Sequence, residues 1–279
     1  MYVSLNGSVT GGKPAWPEFA RLAASAGYGG VDVNLGAAMR EGLDATRSLF
    51  AELKIRPAYS SLPVTVTRDD ETFRSGLARF DDAARFSAAI GCPRMVTVIP
   101  PGGTVPKNEF HDLLKTRFAV IGEILARHNV RLGFEFLGPL HFRTSRPHEF
   151  LWRMNDMLEF AKECGPNFGL LLDVWHWHHA GATAADIVNA ERSRIVAIHL
   201  SDAAKMPPEE VRDDHRLLPG EGIIDFAAFF GALKQIGYDG SVSPEPIGRI
   251  PPGTTPEEGA RLGLESTLGV MRKAGVAPR

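Results

Sequence analysis

The sequence predicts a single (β/α)8 TIM barrel occupying residues 1–279 as one domain, on three observations. Strand-like and helix-like patterns alternate about eight times, with no low-complexity linker between them. The length of 279 residues suits an eightfold barrel, typically ~250 residues. Several strand candidates are continuous apolar runs rather than alternating ones, as expected of strands buried on both faces in a parallel sheet.

Taken in order, residues 2–5 form the first strand, and a helix follows over 16–26, opened by Pro14 and Pro17 and stopped by Gly27. Residues 31–33 and 43–54 are the second strand and helix. The third unit pairs a weaker strand, 57–60, with a long helix over 70–90 that stops at Gly91. Strand 95–99 is closed by Pro100-Pro101-Gly102-Gly103 and followed by helix 110–128. The fifth unit is strand 131–136 and helix 147–164; the sixth is strand 169–174 and a short helix, 184–190. Strand 195–200 leads into a polar loop, 201–222, long enough to act as a lid, and then helix 225–236. Strand 241–245 and helix 255–274 complete the set. Each strand needs a crossover before the next, which makes the sheet parallel. An open dinucleotide-binding sheet is the weaker alternative. The turn after the first strand, Asn6-Gly7-Ser8-Val9-Thr10-Gly11-Gly12, lacks the G-x-G-x-x-G spacing.

Composition narrows the class. With 44% hydrophobic residues the chain can bury a large core. A net charge of −2 gives no global field for nucleic acid or anionic lipid. The two cysteines, Cys92 and Cys164, suggest neither a disulfide framework nor a thiolate metal site. The first ten residues lack the basic start and apolar stretch of a signal peptide, and no run approaches ~18 apolar residues. The expectation is a soluble cytoplasmic protein.

Four apolar runs end in a metal-capable side chain: Glu135 in Gly133-Phe134-Glu135, Asp173 after Leu170-Leu171-Leu172, His199 after Ile195-Val196-Ala197-Ile198, and Glu245 after Ser241-Val242-Ser243-Pro244. Their separations of 38, 26 and 46 residues each fit one β/α unit plus loop, so they fall on the fifth to eighth strands. Active sites of such barrels lie at the C-terminal strand ends, where these four converge. Any one alone reads equally well as a helix cap, loop residue or structural histidine. Together they predict one divalent ion, with oxygen-rich ligation favouring Mn²⁺, Mg²⁺ or Co²⁺ and leaving Zn²⁺ open.

Around them lie the substrate-binding candidates. His176 can hydrogen-bond a substrate oxygen, support the metal shell or simply pack its loop; Trp175 can wall a pocket or fill the core. Arg216, before Pro219-Gly220-Glu221-Gly222, can point a charge at substrate oxygens or lie exposed on its loop. His141, in the loop after the fifth strand, is a further candidate, as is Arg143.

The motifs GFEF (Glu135), LLDVWHW (Asp173, His176), IHLSD (His199), RLLPGEG (Arg216) and EP (Glu245) together resemble the xylose-isomerase-like TIM barrels. The nearest branch is the sugar phosphate isomerase/epimerase group, with ketose 3-epimerases, hydroxypyruvate isomerase and inosose dehydratase. The segment between His199 and Arg216 is longer than in the compact ketose epimerases. The resemblance implies that Glu135, Asp173, His199 and Glu245 bind one divalent ion and that His176 and Arg216 contact substrate. It also implies a small sugar or polyol substrate and a homo-oligomer, dimer or tetramer. With an ion as Lewis acid, Glu135 and Glu245 would act as the acid/base pair of an isomerase or epimerase working through an enediolate. The same enediolate can expel a β-leaving group, so a lyase or dehydratase acting on a keto sugar or cyclitol is the nearest alternative. Metal-dependent endonucleases on this barrel use more histidines to hold several zinc ions and need a basic DNA face, which the net charge of −2 does not suggest. A non-catalytic sugar-binding barrel is a more distant reading.

Overall fold

The alternation of elements closes on itself. The structure is a computed structural model describing residues 1–11 and 14–278, so Gly12 of the turn discussed above lies outside the described residues. The described strands are β1 (Tyr2–Leu5), β2 (Gly30–Val33), β3 (Arg56–Ser61), β4 (Arg94–Ile99), β5 (Gly102–Gly103), β6 (Arg131–Phe136), β7 (His148–Glu149), β8 (Phe168–Asp173), β9 (Ile195–Leu200) and β10 (Ser241–Pro244). Eight of them make a closed barrel in the order β1-β2-β3-β4-β6-β8-β9-β10, with β10 paired back to β1, and every barrel pairing is parallel. The predicted (β/α)8 barrel is the fold.

Side chains on a strand alternate between the two faces, so each barrel strand sends every second residue inward. Tyr59, Val96, Leu171 and Ala197 fill the interior with Tyr2 and Ala58. Two positions beyond Leu171 and Ala197, the same inward face carries Asp173 and His199. A larger core lies between strands and helices, where Phe134 and Phe168 of the sheet meet Phe118 and Phe160 at ring separations of 4.5–6.3 Å. No helix among the described residues is long and apolar enough to cross a membrane.

Two helical assignments change and short helices are added. The helix expected over 70–90 is two, Asp70–Leu77 and Phe80–Ala89. Arg79 leaves helical geometry at φ −118° and ψ 7°, while the apolar spacing carries across the break and hides it. The helix expected from residue 147 starts at Met154. The preceding residues His148–Glu149 are instead β7, antiparallel to β5. Short helices at Leu35–Glu41 and Val174–His179 were not anticipated.

Candidate metal centre and active site

Strand register brings the four sequence-predicted ligands to one level. Asp173 pairs with His199 across β8 and β9, and His199 with Ser243 across β9 and β10. Glu245 lies two residues past Ser243, on the same face, and its N–H extends the ladder to Leu200 O at 2.7 Å. Glu135 sits one residue before the end of β6. One ligand atom from each of Glu135, Asp173, His199 and Glu245 lies within 4.8 Å of all the others. Glu135, Asp173 and His199 are buried, and Glu245 is partly exposed.

Burial of so many acids in one place is costly unless charge is compensated. Burial pushes the Glu135 carboxyl well above its usual range, and Glu245 and Asp173 push it further, against the pull of His199. Burial also opposes charge on His199, yet Glu245 and Glu135 outweigh it and hold the imidazole protonated well above its usual value. His199 Nδ1 lies 3.0 Å from Glu245 Oε2 and 3.5 Å from Glu135 Oε1, but neither oxygen lies where the ring N–H could donate. A buried nitrogen without a hydrogen bond, surrounded by three carboxylates, fits a divalent cation: it supplies one imidazole and several oxygen donors in one place. Deprotonation of Nδ1 would accompany binding.

Arg216 provides the second positive charge. Its Nη1 donates to Asp173 Oδ2 at 2.6 Å and to Glu245 Oε2 at 3.2 Å, and its Nε and Nη2 reach Asp213 Oδ1. The guanidinium stacks on Trp175 with its carbon 4.6 Å from the ring centroid. Burial would raise the Asp173 carboxyl, but Arg216 and the nearby histidines overcome this and hold it below the usual carboxylate range. Its other oxygen caps the helix Val174–His179 by accepting from Trp175 N at 2.7 Å and His176 N at 3.3 Å. Arg216 Nη2 donates to His176 Nε2 at 3.1 Å. A guanidinium only donates, so this nitrogen accepts and His176 is neutral there. Burial accordingly pushes His176 down to about 3, despite the pull of Asp173.

These contacts place the expected substrate-binding residues behind the ligands rather than along the cavity wall. The cavity in front of the ligands, about 410 Å³, is not lined by His176, Trp175, Arg216 or His141. Trp175 and His176 are 1% exposed and Arg216 is 3% exposed, so they form a packed layer behind Asp173. His141, half-buried on the short helix Leu140–Arg143, feels Asp213 and Arg212 of the 201–222 loop. Its neighbour Arg143 stacks on Trp152 at 3.8 Å. That loop is strapped down at its base. The Asp202 carboxylate accepts from the backbone N–H groups of Ala203, Gly220, Gly222 and Ile224 at 2.8–3.0 Å. Only glycine fits at 222, where a Cβ would sit 2.2 Å from Ala203 O.

The cavity wall comes instead from the first half of the barrel: Asn6, Asp32, Tyr59, Ser60, Ser61 and Thr97 stand with Glu135, His199 and Glu245. Asp32 lies inside the short run Val31-Asp32-Val33 rather than at its end, so the strand-end rule that found the four ligands passed over it. Tyr59 hydroxyl donates to Asp32 Oδ2 and lies 2.6 Å from His199 Nε2. Ser243 Oγ donates to Asp32 Oδ1 at 3.1 Å, and Asn6 Nδ2 reaches Tyr59 Oη at 3.3 Å and Glu245 Oε1 at 3.5 Å. Burial pushes the Asp32 carboxyl up to about 7, although His199, Tyr59 and Ser243 all favour its charged form.

Fold and site together define a (β/α)8 barrel with a carboxylate–imidazole centre at its C-terminal mouth. The family model described as the xylose isomerase-like TIM barrel matches residues 20–270. The chain belongs to that family. It is 25% identical over 234 residues to inosose isomerase of Halalkalibacterium halodurans, a match covering 83% of this chain and 80% of that one. A solved structure of a xylose isomerase domain protein from Alicyclobacillus acidocaldarius superposes with a TM-score of 0.89 at 27% identity, covering 98% and 99% of the two chains. The IOLI protein, solved with a binding zinc atom, superposes with a TM-score of 0.82 at 22% identity over 98% and 99%, a likeness of fold.

Proposed function

We propose that this protein is a divalent-metal-dependent isomerase or epimerase acting on a sugar or cyclitol that carries a carbonyl group. The observation that carries this reading is the convergence of Glu135, Asp173, His199 and Glu245 within 4.8 Å, with Glu135, His199 and Glu245 lining a cavity of about 410 Å³. These four residues would hold the ion, with Mn²⁺, Mg²⁺, Co²⁺ and Zn²⁺ all compatible with the donors. A bound divalent ion supplies Lewis acidity to the substrate carbonyl and a neighbouring hydroxyl.

The rest belongs to the chain. Glu135 and Glu245 project from β6 and from just past β10, on either side of His199. One removes the proton α to the carbonyl and the other returns a proton, which inverts or transposes the centre. Arg216, 3.2 Å from Glu245 and 2.6 Å from Asp173, offsets negative charge as the carboxylates exchange protons. The hydroxyls of Tyr59, Ser60, Ser61 and Thr97 and the amide of Asn6 give the wall the mixed donors and acceptors that a polyhydroxy ring requires. The inosose isomerase relative puts keto-cyclitols first among the candidates.

The test is NMR in deuterated water with Mn²⁺-loaded protein and a panel of ketoses and keto-cyclitols. The expected result is deuterium at the α carbon of one substrate without loss of water, and a fall in turnover of about 10²–10⁴-fold in Glu245→Gln. Elimination products with the same substrate would replace this reading with the lyase one. Unchanged turnover in Glu245→Gln would remove the proton-transfer role.

A further inference from the structure

Around Tyr59 every proton has an assignable place. Asn6 Oδ1 accepts from the backbone N–H of Ser8 at 2.8 Å, so the other end of that amide, the NH₂, faces Tyr59 and Glu245. Tyr59 Oη therefore accepts from Asn6, and its single proton has two candidate acceptors, Asp32 Oδ2 and His199 Nε2. The Asp32 carboxylate only accepts, and its second oxygen is taken by Ser243 Oγ. Ser243 Oγ in turn meets Ser4 Oγ at 2.5 Å, which extends the chain to β1. With the Tyr59 hydroxyl donating to Asp32, His199 Nε2 must carry a hydrogen and donate it to Tyr59 Oη. That arrangement leaves the lone pair of a neutral His199 on Nδ1, the nitrogen facing Glu135 and Glu245.

We propose that Tyr59 and Asp32 are positioning residues that lock His199 in its metal-ligating tautomer and ring orientation, and so set the affinity of the site for a divalent ion. The inference rests on the metal reading of the four-ligand cluster. A histidine ligand held through its far nitrogen by a carboxylate is a common device, and losing the outer partner costs about 10–100-fold in metal affinity. Here the carboxylate acts through a phenol. The Tyr59 ring packs among Ala58, Val96, Leu171 and Ala197, so Tyr59→Phe removes the hydroxyl and keeps the packing.

The experiment is calorimetric titration of metal-stripped protein with Mn²⁺ and with Zn²⁺, at about pH 8, above the value of about 7 that burial gives Asp32. No substrate is required. Wild type binding about one ion per chain establishes the site; a wild type that binds none overturns the metal reading itself. Given binding, Tyr59→Phe and Asp32→Ala should each weaken it about 10–100-fold, and the double variant should be no weaker than either single one, since both act through one path. Asp32→Asn, whose amide oxygen can still accept from Tyr59, should recover much of the loss. Wild-type affinity in Tyr59→Phe, or additive losses in the double variant, would overturn the inference. Circular dichroism of the metal-free variants reports folding, and Tyr59→Phe, which keeps the ring packing, carries the test should Asp32→Ala not fold.

Discussion

Arg216 links the chemistry of the site to its stability. Its side chain is 2% exposed and that of Asp173 is fully buried, so the 2.6 Å pair between them has almost no solvent screening. Removing one partner of such a pair leaves a buried charge alone and typically costs about 3–5 kcal/mol. Arg216→Met should therefore lower the unfolding free energy of the metal-free protein, measured by urea titration, by an amount in that range. A divalent ion supplies an alternative counter-charge to Asp173, so the loss should shrink when the ion is present. An equal loss in both states would show that the penalty comes from packing on Trp175 rather than from charge. Sequence alone pointed to Arg216 and His176 but not to what they touch. Arg216 lies in a loop and His176 on a short helix that was not anticipated, and the path of both segments is set by tertiary contacts. The four ligands were legible for the opposite reason, since an inward-facing residue at the end of a buried strand has little freedom of direction.

Among the elements, the segment after β9 shows how a long polar loop is held. Asp202 fixes its base, and Glu221 fixes its far end through a two-pronged pair with Arg249 at 2.8 and 2.9 Å and an N–H from Leu218 at 3.1 Å. The Arg249 hydrogen bonds lower the Glu221 carboxyl below its usual value, with burial opposing. A depressed folded-state value means that this contribution is complete above the unfolded value of about 4.3 and is lost as pH falls through the lower folded one. Both side chains are more than a third exposed, so the pair is worth at most about 1 kcal/mol. The expected effect is thus local: hydrogen exchange of the 203–222 amides should quicken relative to the rest of the barrel as the pH drops below about 4. Glu221→Gln should show the faster exchange at every pH. Identical exchange in the two proteins would remove the clamp. The loop was legible as polar and long, whereas its anchors depend on pairings with β10-side residues far along the chain. The merged helix over 70–90 and the missed β5–β7 pair have the same origin: periodicity records which residues are apolar, not where the backbone breaks or which short segments meet.

At the scale of the whole molecule, the site is distributed around the ring of strands. Glu135, Asp173 and His199 come from β6, β8 and β9, and Glu245 follows β10. Tyr59, Asp32 and Ser4 belong to β3, β2 and β1, and the Ser4–Ser243 contact spans the seam where β10 closes on β1. The alternation of strands and helices made this closure predictable, but the cross-barrel network was not, because it joins residues more than two hundred positions apart. An ion held by the four ligands is thus tied by side chains to every barrel strand except β4, and its binding energy should appear as stability of the entire barrel. At an ion concentration 100 times the dissociation constant, linkage gives about 2.7 kcal/mol, or a rise in melting temperature of roughly 5–10 °C for a chain of this size. Calorimetry with and without Mn²⁺ should show one cooperative transition shifting as a unit. A shift confined to a minor, separate transition would mean that the four ligands stabilise only their own half of the barrel, and that the contacts through Tyr59 and Asp32 do not couple it to the other.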